Sequence, residues 1–216
     1  MTLNTWLLFL FAETVLSLSP GPAVFYVVSQ GIRGGMSRVL PAAGGIISAN
    51  AIYFALSATS LGAIIAASGR FFSIAKWLGA AYLIYLAIKS LRSAATTQAV
   101  DLVTTATTNK GDRRQVYLGA LTLQLANPKA LLFFLALLPQ FINPHWPVVP
   151  QMLILAVTSM LPEFCILLGY GWLAQRAVHA STKLGITSNM SRWLARVEGV
   201  GLLGCATLVL KFNRVN

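Results

Sequence analysis

The chain has 216 residues, of which 56% are hydrophobic and 10% charged, against roughly 45–50% and 25% in ordinary globular proteins. Its mean hydropathy is +0.72, and basic residues outnumber acidic ones by 16 to 5. This composition excludes a soluble domain, because the few charged side chains cannot cover its surface. The basic residues lie between apolar runs, as in the cytoplasmic loops of membrane proteins, rather than on a basic face that binds nucleic acid. We therefore predict an all-α integral membrane protein with no nucleic-acid partner.

Six stretches are long and apolar enough to cross the membrane, which takes about 20 residues for a ~30 Å hydrocarbon core. Their apolar runs are continuous rather than alternating, which indicates helices and not barrel strands. The polar segment 91–115 is the linker that divides the chain into two three-helix units, 1–90 and 116–216. The predicted spans are 4–30, 39–68, 71–90, 116–139, 148–174 and 193–211.

The Lys and Arg residues of the loops predict the orientation of the chain. Eleven lie in the turn after span one, around the linker and in the loop before span six, and four lie on the opposite side. Basic loops stay in the cytoplasm. The linker is therefore predicted to be cytoplasmic, with both chain termini on the outer side of the membrane.

Two similar motifs lie 108 residues apart, half of the chain, in spans one and four. Each has a polar residue before a proline and an aromatic pair five and six residues after that proline. Because each half has three spans, the second half enters the membrane from the opposite side, which is the inverted-repeat plan of many secondary transporters. The motifs are Ser19-Pro20-Gly21-Pro22 and Asn127-Pro128-Lys129.

Both motifs are predicted to break their helices near mid-membrane. Proline inside a helix removes a backbone hydrogen bond and costs ~3 kcal/mol or more, and Ser19 and Asn127 are each expected to cap the half-helix that begins after them. Broken helices are tolerated at membrane depth where they line a cavity, and their N-terminal ends favour an anion such as a carboxylate. A substrate site at the two breaks is the functional interpretation, and a packing kink is the alternative.

Ionisable side chains also point to a cavity between spans one, two, four and five. Lys129 and Glu163 both lie at predicted membrane depth, where a charge costs about 2.5–3.5 kcal/mol on insertion scales. The alternative to a functional site is a structural Lys129–Glu163 pair. Two polar stripes are expected to face the same cavity, namely Ser159, Glu163 and Tyr170 in span five and Asn50, Tyr53, Ser57 and Ser60 in span two.

The predicted site residues fall into two groups. Glu163 is the candidate proton-coupling group, because burial penalises the charged form of a carboxyl group, and Glu13, expected to reach the outer water, is the second candidate. His145 and His179 have no partners at metal-ligand spacing, so neither a metal site nor a cofactor is predicted. The predicted substrate-binding residues are Ser19, Pro20, Gly21, Pro22, Asn50, Asn127, Pro128 and Lys129.

With these motifs the chain resembles the LysE/RhtB family of bacterial amino-acid exporters over essentially its whole length. The resemblance implies a six-helix protein of the bacterial inner membrane, with periplasmic termini, that exports small, mostly neutral amino acids of the threonine, homoserine or leucine type in exchange for protons. An acidic residue in span five resembles a feature of the family, and Glu163 occupies that place in this chain. The family often has a Gly-Asp pair where this chain has Ala49-Asn50, so no proton role is expected for span two. The motifs that carry the resemblance are Ser19–Pro22, Lys76–Tyr85, Asn127–Ala130 and Leu138–Ile142.

Two other functions are weighed against an amino-acid exporter. A divalent metal-ion exporter of a related fold needs several carboxylates, His or Cys in the membrane, and Lys129 would repel its cation. A membrane-embedded enzyme needs a nucleophile–base pair or a metal constellation, and the spans contain neither. The expected partners are the substrate, protons and the lipid bilayer, with a homodimer left open.

Overall fold

The computed structural model describes residues 1–67, 81, 84–85, 88, 112–143 and 146–180. Predicted span six, most of span three and nearly all of the linker lie outside these residues. The described part is helical throughout, with short breaks. Its helices are α1 (Leu3–Leu18), α2 (Pro22–Gly34), α3 (Met36–Ala67), α4 (Arg113–Leu125), α5 (Pro128–Leu132) and α6 (Val148–Ala180). A π-helical turn (Phe133–Leu137) and a 3-10 turn (Leu138–Phe141) follow α5.

Two of these helices, α3 and α6, are long and apolar enough to cross a membrane without interruption. Two further segments have the required length only if a bent pair counts as one span: α1 with α2, bent by 52°, and α4 with Pro128–Phe141, bent by 48°. On that count the described residues hold four spans, which correspond to predicted spans one, two, four and five. The total of six spans and the inverted repeat stay predictions.

Proline alone does not interrupt the helices. α3 continues through Pro41 and α6 through Pro162. The first interruption occurs at Pro20-Gly21-Pro22, where a glycine lies between two prolines. The second occurs at Asn127-Pro128, where an asparagine precedes the proline. The break positions agree with the predicted ones.

A tight turn joins α2 to α3. Gly35 has φ 61°, in the left-handed region that glycine adopts without a steric penalty, and its N–H donates to the Gly31 carbonyl at 3.0 Å. The Gln175 side chain accepts a hydrogen bond from the Met36 N–H at 3.0 Å. Gln175 belongs to α6, which continues to Ala180 and so extends past residue 174, the predicted end of span five.

Close backbone contacts join the helices in pairs. A Cβ added at Gly45 of α3 would lie 2.3 Å from the Tyr117 carbonyl oxygen of α4, and one added at Gly31 of α2 would lie 2.5 Å from the Gly171 carbonyl oxygen of α6. No side chain fits at either distance. Gly45 and Gly31 therefore allow two pairs of helix backbones to pack in direct contact.

Two apolar clusters form the core. One gathers buried side chains of α1, α3, α6 and the turns after α5, including Phe9, Phe54, Phe134, Leu138 and Leu155. The other lies among α2, α3, α4 and α6 and includes Val27, Val39, Ile46, Ala120 and Leu167. Large exposed side chains such as Leu153, Val157 and Leu161 of α6 give the outer surface an apolar character that suits lipid.

Candidate substrate site

A cavity opens where the two broken spans meet. Helices α3 and α6 close its sides, and members of both apolar clusters contribute to its wall. The polar groups of the wall are Glu13, Ser17, Ser19, Asn50, Gln124, Asn127, Lys129, Gln140, Ser159 and Glu163. Its apolar groups include Leu16, Val24, Leu132, Phe133, Phe134, Leu137 and Leu167.

The break in the first span corrects one prediction. Ser19 does not cap the half-helix that begins after the break, because it is the C-cap residue of α1 and the cap of α2 is Gly21. The second proline of the motif, Pro22, is the first residue of α2, so Pro20 and Gly21 separate Ser19 from the new helix. The Ser19 side chain is 4% exposed, and its hydroxyl oxygen has no hydrogen-bond partner among the described residues.

The break in the second broken span agrees with its prediction. Asn127 has extended backbone angles and Pro128 is the first residue of α5. The Asn127 side-chain oxygen accepts a hydrogen bond from the Lys129 N–H at 3.0 Å. This is the N-cap arrangement that satisfies one of the otherwise unpaired N–H groups at the start of a helix.

Lys129 joins the two breaks. Its Nζ donates to the Leu16 carbonyl at 2.8 Å and to the Ser19 carbonyl at 3.0 Å. These carbonyls belong to the C-terminal end of α1, where the helix dipole favours a cation. The lysine stem packs against Gly21, where an added Cβ would lie 3.6 Å from the lysine Cδ, in ordinary van der Waals contact. The two motifs that the sequence places half a chain apart are therefore in contact.

Tyr53 and Tyr170 were expected to face the cavity, and this is wrong. The Tyr53 hydroxyl donates to the Leu125 carbonyl at 2.6 Å, and the Tyr170 hydroxyl donates to the Leu18 carbonyl at 2.8 Å. Both hydroxyl groups donate to backbone carbonyls at helix ends, where the breaks leave these carbonyls without a helical N–H partner. Neither tyrosine forms part of the cavity wall. Ser57 is not part of the wall either, and the Ser60 side chain lies outside the described residues.

A row of hydrogen-bonded side chains connects Glu163 to the second break. The Asn50 amide group donates to the Glu163 carboxylate, Gln124 donates to Asn50 at 2.8 Å, and Asn127 donates to Gln124 at 2.9 Å. Asn50 and Glu163, predicted from separate polar stripes, are thus brought together. Sequence reasoning missed Gln124, although its position three residues before Asn127 places the two on one helical face.

The second acidic side chain, Glu13, lies deep in the protein. The expectation that it reaches outer water is wrong, since it is 5% exposed and α6 covers it. Its carboxylate accepts hydrogen bonds from Ser159 at 2.9 Å and from Ser17 at 3.2 Å. Lys129 attracts both Glu13 and Glu163 electrostatically, so one cation and two carboxyl groups share the cavity.

The described residues do not gather three or more His, Cys, Asp or Glu side chains into a group that could hold a metal ion. Among the charged groups in the cavity, Lys129 repels a divalent cation electrostatically. The wall is therefore suited to an organic molecule that carries both charged and apolar parts.

The sequence profile of LysE type translocators matches residues 14–211 of the chain. The homoserine/homoserine lactone efflux protein of Salmonella typhimurium is 38% identical over 176 residues, which is 82% of this chain and 83% of that protein. The leucine efflux protein of Salmonella choleraesuis is 32% identical over 168 residues, 76% of each chain. An uncharacterized membrane protein of Vibrio cholerae is 31% identical over 212 residues, covering 97% of this chain and 98% of that one.

No solved structure matches the chain. The family match spans nearly the whole sequence, including both breaks, Lys129 and Glu163. The cavity contains polar groups for holding a solute inside an apolar protein. The chain therefore belongs to the LysE family of membrane translocators and is a transporter rather than an enzyme.

Proposed function

We propose that the protein exports small, mostly neutral amino acids or their derivatives, of the threonine, homoserine or leucine type, across the bacterial inner membrane in exchange for protons. The observation that carries this proposal is the contact of the two broken spans through Lys129, at a cavity with both charged and apolar walls. The named activities of two relatives, homoserine/homoserine lactone efflux and leucine efflux, support the same class of substrate.

The substrate carboxylate binds at the second break. The start of α5 presents the positive end of its dipole, Asn127 and Pro128 fix its direction, and the Lys129 ammonium group adds a full charge. Ser19 and Gly21 of the first break line the facing wall, and the buried Ser19 hydroxyl supplies a further hydrogen-bonding group to the bound molecule.

The rest of the cavity selects the side chain. Phe133, Phe134 and Leu137 lie on one side and Val24 and Leu167 on the other. A charged side chain placed here would lose its hydration without a partner, at a cost of several kcal/mol. An apolar or hydroxyl-bearing side chain avoids this cost, so neutral amino acids are favoured.

Glu163 is the proposed proton-coupling group and Glu13 the second candidate. A protonated Glu163 no longer attracts Lys129 or the substrate ammonium group, so the proton biases the protein between two states. Both carboxyl groups are close enough to the substrate region for a proton and a substrate to affect each other's binding.

The proposed architecture is a pair of inverted three-helix repeats, 1–90 and 116–216, with a cytoplasmic linker and periplasmic termini. The two bent spans, broken near their middles and meeting at one cavity, support the repeat. The loop distribution of Lys and Arg supports the orientation. A metal-ion exporter is not favoured, because the relatives named for a substrate act on amino acids and Lys129 stands in the cavity.

Efflux from whole cells tests the proposed function. Cells that express the chain are loaded with a panel of labelled amino acids, and release is compared with that from cells carrying an empty vector. Faster release of homoserine, threonine or leucine is the expected result. If release of every amino acid in the panel equals that from the empty-vector cells, with the protein present in the membrane, the proposal is ruled out.

A further inference from the structure

A continuous row of three carboxamide side chains crosses the protein interior between Glu163 and the second break. Asn50 belongs to α3, Gln124 to α4 and Asn127 to the break itself. Each is 4–5% exposed. The row ends on the Lys129 backbone N–H, which donates to Asn127, so it connects the proposed proton group with the proposed carboxylate site.

The two ends of this row determine the direction of every hydrogen bond in it. A carboxamide has one oxygen that accepts and one NH₂ group that donates. A backbone N–H can only donate, and an ionised carboxylate can only accept. Asn127 must therefore turn its oxygen toward Lys129 and its NH₂ toward Gln124, and the same direction is passed through Gln124 and Asn50 to Glu163.

A proton on Oε2 of Glu163, the oxygen that accepts from Asn50, opposes this direction. The protonated oxygen becomes a donor and needs an acceptor, while the Asn50 NH₂ group that faces it is also a donor. If Asn50 turns its oxygen toward Glu163, it presents its NH₂ to Gln124, and each following amide must turn in the same way. The reversed row presents an NH₂ group to the Lys129 N–H, which removes the cap of α5. An unsatisfied buried polar group costs ~1–3 kcal/mol, so the amides are expected to turn together or not at all.

We propose that Gln124 is a positioning residue that transmits the protonation state of Glu163 to the Asn127 cap, and thereby to the substrate carboxylate site. This inference rests on the proposed function. The charged groups that face Glu163 from other described elements are Glu13 of α1 and Lys129 of α5. They alter the charge balance of the cavity, whereas Gln124 provides the hydrogen-bonded connection to the cap.

The variant Gln124→Met tests the connection, since it keeps the length of the side chain and removes both hydrogen bonds. Thr122→Val is the matched control on the same helix, where an exposed hydroxyl donates only to carbonyls of its own helix. Purified proteins are reconstituted into liposomes with labelled homoserine and leucine. Exchange at equal pH on both sides measures substrate handling, and accumulation driven by an imposed pH difference measures coupling.

We expect Gln124→Met to retain exchange within about threefold of the native rate and to lose pH-driven accumulation by about tenfold, the equivalent of one hydrogen bond. Thr122→Val should retain both. Native accumulation in Gln124→Met would overturn the inference, and so would loss of exchange, because Gln124 would then act in binding itself. If Gln124→Met does not fold, Gln124→Leu removes the same two hydrogen bonds with a shorter side chain and is judged by the same criteria. A native protein with neither exchange nor accumulation would contradict the proposed function instead.

Discussion

Tyr53 and Tyr170 make the same contact from opposite halves of the chain. Tyr53 lies in the first half and donates to Leu125, the last residue of α4 in the second half. Tyr170 lies in the second half and donates to Leu18, the last residue of α1 in the first half. Each unbroken span thus supplies one phenol to the broken span of the other half, and each break exposes a carbonyl that needs such a donor.

Removal of either tyrosine hydroxyl is expected to lower the stability of the protein without changing its charge. Tyr53→Phe and Tyr170→Phe each remove one hydrogen bond to a helix-terminal carbonyl, and each is expected to lower the free energy of unfolding by about 0.5–1.5 kcal/mol. Thermal unfolding of the purified proteins in detergent measures the effect. Thr59→Val, at an exposed site where the hydroxyl donates within its own helix, should have little effect. Equal melting temperatures for all three variants and the native protein would contradict the prediction.

Removal of the Lys129 charge should weaken substrate binding. Lys129→Met keeps the length of the side chain but loses the charge, and a hydrogen bond to a charged group is worth about 1.5–3 kcal/mol. The dissociation constant for a transported amino acid should rise by about 10- to 150-fold, as measured by calorimetry on folded protein. Arg113→Met, an exposed change at the start of α4, is the control. An unchanged dissociation constant would remove Lys129 from the site.

Ser19→Ala should separate binding from stability. The buried hydroxyl oxygen has no partner in the structure, so its removal should leave the melting temperature unchanged or slightly raised, since an unsatisfied polar group is lost. Substrate affinity should fall, because the bound molecule loses a hydrogen bond worth about 0.5–1.5 kcal/mol. Lower stability with unchanged affinity would indicate a structural role and contradict the assignment.

Neutralisation of Glu163 should abolish the dependence of export on the pH gradient. In proton exchange, export slows as the outer pH rises toward the inner pH, because the driving gradient disappears. Glu163→Gln can still accept the Asn50 hydrogen bond through its amide oxygen, so it should remain folded, and its export should not vary with outer pH. Native pH dependence in this variant would place the proton elsewhere, and Glu13→Gln would then be the variant to measure.

The orientation can be tested by reporter fusions. Alkaline phosphatase fused after Asn216 should be active, because it requires the periplasm, and green fluorescent protein at the same position should be dark. The same reporters inserted into the 91–115 linker should give the opposite pattern. A fluorescent fusion at Asn216 would reverse the predicted topology.

The positions of the breaks could be predicted from the sequence because they depend on local combinations, Pro20-Gly21-Pro22 and Asn127-Pro128, rather than on a proline alone. The distances of Lys129 and Glu163 from the span ends predict that both lie at membrane depth, which stays a prediction, and the structure places both in the wall of one cavity. The cap of α2 was not predictable in this way. A helix can begin at Pro20 or at Pro22, because proline is tolerated in the first turn. Tertiary packing selects Pro22 as the first residue of α2, which makes Gly21 its cap.

Other parts of the site depend on the approach of separate helices. Gln124 is uncharged and lies in an apolar run, so the sequence does not distinguish it. Its hydrogen bond to Asn50 depends on the packing of α3 against α4. The helical period correctly places Tyr53 near Asn50 and Tyr170 near Glu163 along their helices. It does not show that their hydroxyl groups turn away from the cavity toward a neighbouring backbone.

The glycine contacts at Gly45 and Gly31 have a consequence for how the cavity can open to either side. Backbones in direct contact hold α4 against α3 and α2 against α6. Because α2 and α4 each belong to a broken span, one half of each broken span is held by an unbroken helix. We therefore expect a change in the width of the cavity to bend the broken spans at residues 19–21 and 126–127, while these two helix pairs stay together.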